Sequence, residues 1–273
     1  MRLFDRRRSR NGDAGNDPSF DEQASTLIPA EVRMISGCHS EQTSADVSNV
    51  NRIASLPDPA GRAGGACTVA LLEILYRSKK ISFQSLLLEL RQSLSKKGMS
   101  QIPQLTSSRP LEMKETPFSL CDGPGKKRAL LVGINYVGKH GQLSGCHNDI
   151  LNMKKYLVEC QGYSPNNILI LMDDGKHIFP TRQKIILGLQ QLVQQSKSGD
   201  NAYFHYSGHG GLLYPDGFNA FKMNNKQYDE TLFPVDHERA GQIRDFSLFH
   251  HFVKPMVAGV IVTCVMDCCH SGR

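Results

Sequence analysis

Cys-x-x-Cys pairs are missing from this chain, which removes the usual spacing of a zinc finger. No apolar stretch is long enough to span a bilayer. The longest nearly unbroken one, residues 256–266, falls short of the roughly 20 residues a membrane helix needs. No secretory leader is visible, because the basic residues that open the chain are not followed by an apolar segment. No glycine motif of the phosphate-cradling kind occurs, and Gly208-His209-Gly210-Gly211 has the wrong form for one. No repeat of fixed period is present. Positive charge is also scarcer than it looks. The net +6 comes from 32 basic and 26 acidic residues, and Arg2, Arg6, Arg7, Arg8 and Arg10 supply most of it. A basic excess confined to a tail is no footprint for nucleic acid. The eight cysteines lack the even spacing of a disulfide framework, so a reducing, cytoplasmic setting is expected.

What is present is a globular composition. The 273 residues are 40% hydrophobic, enough for a substantial core in one large or two small domains. Residues 1–25 read as a disordered basic tail, 26–120 as a first region, 121–127 (CDGPGKK) as a linker and 128–273 as a second region. In the first region, residues 31–35 suit a strand. Residues 68–77 suit a helix, as do residues 82–94 with Ser82 as N-cap. Residues 38–63 and 103–117 read as irregular. In the second region, apolar strands at 129–134, 168–172, 202–206 and 260–266 alternate with helices at 148–159 and 181–195. That alternation predicts a mostly parallel sheet covered by helices on both faces.

In such sheets, sites form where strands end. One strand runs into Ser207-Gly208-His209-Gly210-Gly211, another into Asp267-Cys268-Cys269-His270-Ser271-Gly272. A cysteine attacks as thiolate and needs a base; a histidine can take its proton and return it to a leaving amine. Cys269 as nucleophile and His209 as base therefore form the candidate dyad. The small neighbours let backbone N–H groups, those of Gly210 and Cys269, face a developing oxyanion. Taken singly, a cysteine after an apolar strand is more often core, and it is the pair of Gly-flanked motifs that points to catalysis. A zinc site from Cys264, Cys268, Cys269 and His270 is disfavoured, because neighbours on a strand point to opposite faces. Cys268 marks a place for redox control, by oxidative linkage to Cys269 or Cys264.

These motifs resemble the metacaspases, cysteine proteases of the caspase-like clan. The resemblance rests on residues 127–136 (KRALLVGINY), 145–149 (GCHND), 205–211 (HYSGHGG), 228–236 (YDETLFPVD) and 267–272 (DCCHSG). Residues 36–46, 64–72 and 103–108 look like the small-subunit region of that family, which normally follows the catalytic region. Here it precedes it, as in the type III metacaspases. The resemblance implies a caspase-like three-layer α/β/α sandwich, circularly permuted. The strand near Val32–Ile35 would then join the catalytic sheet, with residues 38–46 at the rim of the site. It also implies a large catalytic region at 128–273 that in relatives continues beyond Cys269.

Carried over residue by residue, the resemblance makes Cys146, Asp149, Ser207 and Asp267 an S1 pocket. A buried carboxylate there would select protein or peptide substrates with Arg or Lys at P1. Many metacaspases use calcium through an acidic loop and a pair of Asp. Here Asp216 is the one acid between Gly211 and Tyr228, and Asp245 keeps one of the pair beside Arg244 and Phe246. No cofactor is expected to be required, and calcium dependence is expected to be weak or absent, since calcium wants six to eight oxygens. The chain is expected to be a monomer without nucleic-acid or membrane partners. A catalytically silent caspase-like scaffold is the alternative.

Overall fold

A computed structural model of the chain describes residues 25–37, 66–78, 80–99, 101–213 and 228–268. Residues 1–24 of the tail expected at 1–25, the expected rim at 38–46 and Cys269 itself lie outside the described residues. The strands are β1 (Glu31–Ser36), β2 (Gln104–Ser107), β3 (Lys127–Gly133), β4 (Ile168–Met172), β5 (Asn201–Ser207), β6 (Gly210–Leu213), β7 (Asp229–Leu232), β8 (Ile243–Arg244) and β9 (Ile261–Asp267). The helices are α1 (Ala66–Arg77), α2 (Phe83–Lys96), α3 (Cys146–Gln161), α4 (Arg182–Gln195), α5 (His237–Ala240) and α6 (Asp245–Leu248), the last continued by one π-helical turn, Phe249–Val253.

Six strands form the main sheet in the order β2-β1-β9-β5-β3-β4. All neighbours are parallel except β2, which runs antiparallel to β1. The first-region strand thus joins the catalytic sheet beside β9, with Val32 opposite Val262 and Ser36 opposite Met266. β6, β7 and β8 make a second, antiparallel sheet. This is a mostly parallel α/β sandwich of caspase-like type.

Period-two alternation along the strands builds the layers. Ala129, Leu131, Tyr203 and Val265 face one core with Leu71 of α1, Leu90 of α2 and Met153 of α3. Leu130, Val132, Phe204, Cys264 and Met266 face the other core with Ile185 and Leu189 of α4 and Phe252 of the π turn. Both faces being buried explains the fully apolar strand sequences. Gly133 sits where α3 crosses β3. A Cβ there would come 2.8 Å from the Cys146 carbonyl oxygen, so only glycine lets the helix start this close to the sheet.

Caps fall where side chains supply them. Ser82 accepts from the Ser85 N–H at 3.2 Å, and Thr181 from the Lys184 N–H at 3.3 Å. One expectation is overturned: residues 103–117 are not irregular throughout, because β2 lies within them. It is a short edge strand whose residues are all half-buried, and so it lacks the alternation that marks a strand with one buried face. No helix among the described residues is long and apolar enough to cross a membrane.

Candidate active site

β5 and β9 are hydrogen-bonded neighbours, with Ser207 opposite Asp267 at their carboxyl ends. Along this row lie Gly37, Asp267, Ser207 and Gly133, from β1 across to β3. Gly133 is covered by α3, whose Cys146 carbonyl and Ile150 side chain fill the space a Cβ would take, and Gly37 has the Asp267 carboxylate and Cys67 beside it. Asp267 shares the face of Val265, so its carboxylate turns towards α1 and α3; Cys268 turns to the opposite face and is buried in that core.

α3 brings Asp149 onto the same face. Ser207 Oγ donates to Asp149 Oδ2 at 2.6 Å. The backbone N–H of Thr68 donates to Asp267 Oδ2 at 2.8 Å, and the Thr68 hydroxyl donates to the same oxygen at 2.7 Å. Asp267 Oδ1 is buried and has no hydrogen-bond partner among the described residues. Burial pushes the Asp149 carboxyl up to about 8, and the Asp267 charge adds to it. Burial also pushes Asp267 up to about 6, against the hydrogen bonds from Thr68. Cys146, at the start of α3, is fully buried beside Ser207, and burial raises its thiol well out of the reactive range. All four residues of the expected S1 pocket are therefore gathered at one point. A buried pair of carboxylates with an unpartnered oxygen is unstable alone and suits a cationic partner.

His209 follows β5 and is 5% exposed. Its Nε2 lies 2.7 Å from the Gly141 carbonyl oxygen, which can only accept, so Nε2 carries the proton. Nδ1 is then the basic nitrogen of the neutral ring. Burial lowers the His209 pKa, the Gly141 carbonyl opposes this, and His237 lowers it further. A neutral imidazole near neutral pH is the form a general base needs.

Two buried tyrosines hold the backbone of this residue. Tyr136 accepts from the His209 N–H at 3.0 Å and donates to the Phe233 carbonyl at 2.7 Å. Tyr206 donates to the His209 carbonyl at 2.9 Å. The Tyr136 ring also lies against the imidazole, centroids 4.8 Å apart. Tyr136 has φ of 53°, a left-handed value that costs a tyrosine on the order of 1–3 kcal/mol. Asp173, just past β4, brackets it: Oδ1 accepts from Asn135 N–H at 2.8 Å and Oδ2 from Val137 N–H at 3.1 Å. Replacing Tyr136 by Phe keeps the ring and removes the hydroxyl. The expected result is a fall in kcat of about tenfold with KM within about twofold, read by steady-state kinetics, since the hydrogen bonds to the His209 N–H and the Phe233 carbonyl are both lost.

Gly210 opens β6 opposite Leu232, directly after His209. Asp245 is half-buried and accepts from the Phe246 N–H; its neighbour Arg244 pairs with Asp229 at 2.6 Å. Among the described residues no group of three or more His, Cys, Asp or Glu gathers to hold a metal, at Asp245 or elsewhere. Four residues along an extended run span about 13 Å, so a bond between Cys264 and Cys268 is out of reach.

Sequence reasoning did not find Gly141, Tyr136, Tyr206, Asp173 or Thr68. Asp173 carried a usable signal, an acid at the carboxyl end of an apolar strand. The others act through the backbone or across long separations.

The match to known proteins is as specific as the geometry. The model of the metacaspase peptidase C14 domain matches residues 127–273, and the caspase domain model matches residues 6–113. "Metacaspase III c" of Phaeodactylum tricornutum is 46% identical over 261 residues, covering 93% of this chain and 76% of that protein. The chain belongs to the metacaspases. "Metacaspase-1B" of Neurospora crassa is 42% identical over 158 residues, and "Metacaspase-1" of Cryptococcus neoformans 41% over 157. This metacaspase spans only 35% and 33% of the length of those two proteins. By family it is a cysteine peptidase of the caspase-like clan, and such an enzyme acts on protein substrates.

Proposed function

We propose that this metacaspase is an endopeptidase that cuts after Arg or Lys. The observation that carries the reading is the meeting of two buried carboxyl groups, Asp149 and Asp267, with Oδ1 of Asp267 left without a partner among the described residues. A P1 guanidinium or ammonium entering there supplies the missing donor and neutralises the pair. In the proposed reaction the Cys269 thiol gives its proton to Nδ1 of His209. The thiolate attacks the P1 carbonyl carbon, and the N–H groups of Gly210 and Cys269 receive the oxyanion. Collapse breaks the C–N bond, the imidazolium protonates the leaving amine, and water then hydrolyses the thioester.

The same reading takes residues 26–120 as the small-subunit-like region and 128–273 as the catalytic region, joined at 121–127 in permuted order. The parallel pairing of β1 with β9, which leads to Cys269, supports it. Among the described residues Cys121, Cys146, Cys160 and Cys264 are free thiols, which suits a cytoplasmic enzyme. We expect a monomer that needs no cofactor and responds weakly or not at all to calcium.

The test is hydrolysis of paired fluorogenic peptides ending in Arg or Asp, by the parent and Cys269→Ala, with calcium or a chelator. Cleavage of the Arg peptide alone, lost in Cys269→Ala, is expected. A rise of more than about tenfold on adding sub-millimolar calcium would overturn the calcium reading. Silence from folded protein under every condition would favour the scaffold.

A further inference from the structure

The Asp267 carboxylate has two oxygens with different surroundings. Oδ2 receives both the N–H and the hydroxyl of Thr68, while Oδ1 is unpartnered among the described residues. Thr68 belongs to the first turn of α1, in the region that precedes the linker, and α1 has no acid of its own in that turn. The Cys67 N–H turns to the same carboxylate. Asp267 thus does for α1 what an N-cap side chain does, from the far half of the chain.

The donors behind Thr68 are ordered as well. Its hydroxyl has one proton, spent on Asp267, so towards His205 Nε2, 3.1 Å away, it can only accept. His205 therefore carries its proton on Nε2, and its Nδ1 accepts from the Tyr203 hydroxyl at 3.3 Å. Thr68 and His205 are both completely buried, and burial holds the imidazole neutral with a pKa near 3. The run Tyr203, His205, Thr68, Asp267 has a single consistent direction of donation, ending on Oδ2. A carboxylate gripped on one oxygen by two donors cannot rotate freely, and its other oxygen has a fixed heading.

We propose that Thr68 is a specificity-positioning residue of this protease: it locks Asp267 Oδ2 so that Oδ1 is held towards the P1 cation. This deepens the Arg/Lys reading above and rests on it. The region before the linker then contributes to substrate selection through one hydroxyl, without touching substrate. Among the described residues, Asp149 from α3, Cys146 beside it and His205 from β5 are titratable groups that face Asp267; Asp149, raised to about 8, has taken up its proton by neutral pH, the Cys146 thiol is raised and His205 stays neutral, so the acid limb below neutral pH belongs to Asp267 itself.

Calorimetric binding tests this without turnover. In the Cys269→Ala protein, an Arg-ended peptide is titrated between about pH 5 and pH 9, beside Thr68→Val and Thr68→Ser in the same background; a Leu-ended peptide serves as control. Losing the hydroxyl weakens support for the charged carboxylate. Thr68→Val is expected to raise Kd for the Arg peptide about tenfold at neutral pH and to move the acid limb of binding to higher pH. Thr68→Ser restores the donor and should stay within about twofold of the parent in both respects. A merely structural role would lower thermal stability and leave the acid limb where it is. If Thr68→Val does not melt cooperatively, Thr68→Cys replaces it, with the same direction of change expected from its weak donor. An unmoved Kd and acid limb in folded Thr68→Val, or in the Thr68→Cys that replaces it, overturns the proposal alone. Equal binding of the Arg and Leu peptides by the Cys269→Ala protein overturns the pocket reading and this proposal with it.

Discussion

Asp149→Asn is expected to make the empty enzyme more stable and almost useless against an Arg substrate. The carboxyl group is buried, and its pKa is raised to about 8 by burial first and by the Asp267 charge second. A raised carboxylate pKa means the folded state keeps a proton that the unfolded chain has already lost. Its stability is therefore highest below the ordinary value near 3.8 and is given up as pH rises towards about 8. Asn removes that loss and still accepts from Ser207 Oγ. At about pH 8 the variant should gain about 1–3 kcal/mol, and at about pH 4 nothing. The kcat/KM for an Arg-ended peptide should fall by about a hundredfold to a thousandfold, because a buried charge partner is lost. Thermal melts at the two pH values and steady-state kinetics check both halves. A lower melting temperature at the higher pH would mean that the Asp149 charge is already compensated in the empty site.

His209→Ala is expected to cost about a thousandfold or more in kcat while KM stays within about threefold. The reason is geometric. Nε2 is committed to the Gly141 carbonyl, so Nδ1 is the only nitrogen of this ring free to move a proton. The ring is boxed by Tyr136 and Phe233, so its removal leaves a cavity shaped for an imidazole. Added imidazole should therefore return part of the lost rate to His209→Ala and none to Cys269→Ala. Pre-steady-state acylation with a fluorogenic Arg ester would show which step is lost. An unchanged acylation rate would exclude His209 as the base.

The sheet was readable where strands are buried on both sides. β4 spans the residues its apolar run marks out, 168–172, and Ser82 caps α2 as its position before the stripe implies. β2 escaped notice because Gln104, Leu105, Thr106 and Ser107 are all half-buried at an edge, which erases any alternation. β6 to β8 are short, and Gly210 and Gly211 read as turn residues although they pair with Leu232 and Thr231. The residues proposed for the pocket could be named because each stands beside a strand end within a recognisable motif. Their supports were not. The Tyr136 hydroxyl meets the His209 backbone across 73 positions, and Thr68 meets Asp267 across 199. No local pattern announces a contact of that length.

The contact between Thr68 and Asp267 also sets an order of events during synthesis. Thr68 leaves the ribosome 199 residues before Asp267 does, and until then α1 has no carboxylate at its exposed first turn. The Asp267 carboxylate and the first turn of α1 gain each other as partners in the same encounter. Because β9 lies between β1 and β5, a nascent chain that lacks it can form at most β5-β3-β4 and the β1-β2 pair, two pieces of the main sheet not yet joined. The arrival of β9 thus joins the two pieces of the sheet and caps α1 in one step.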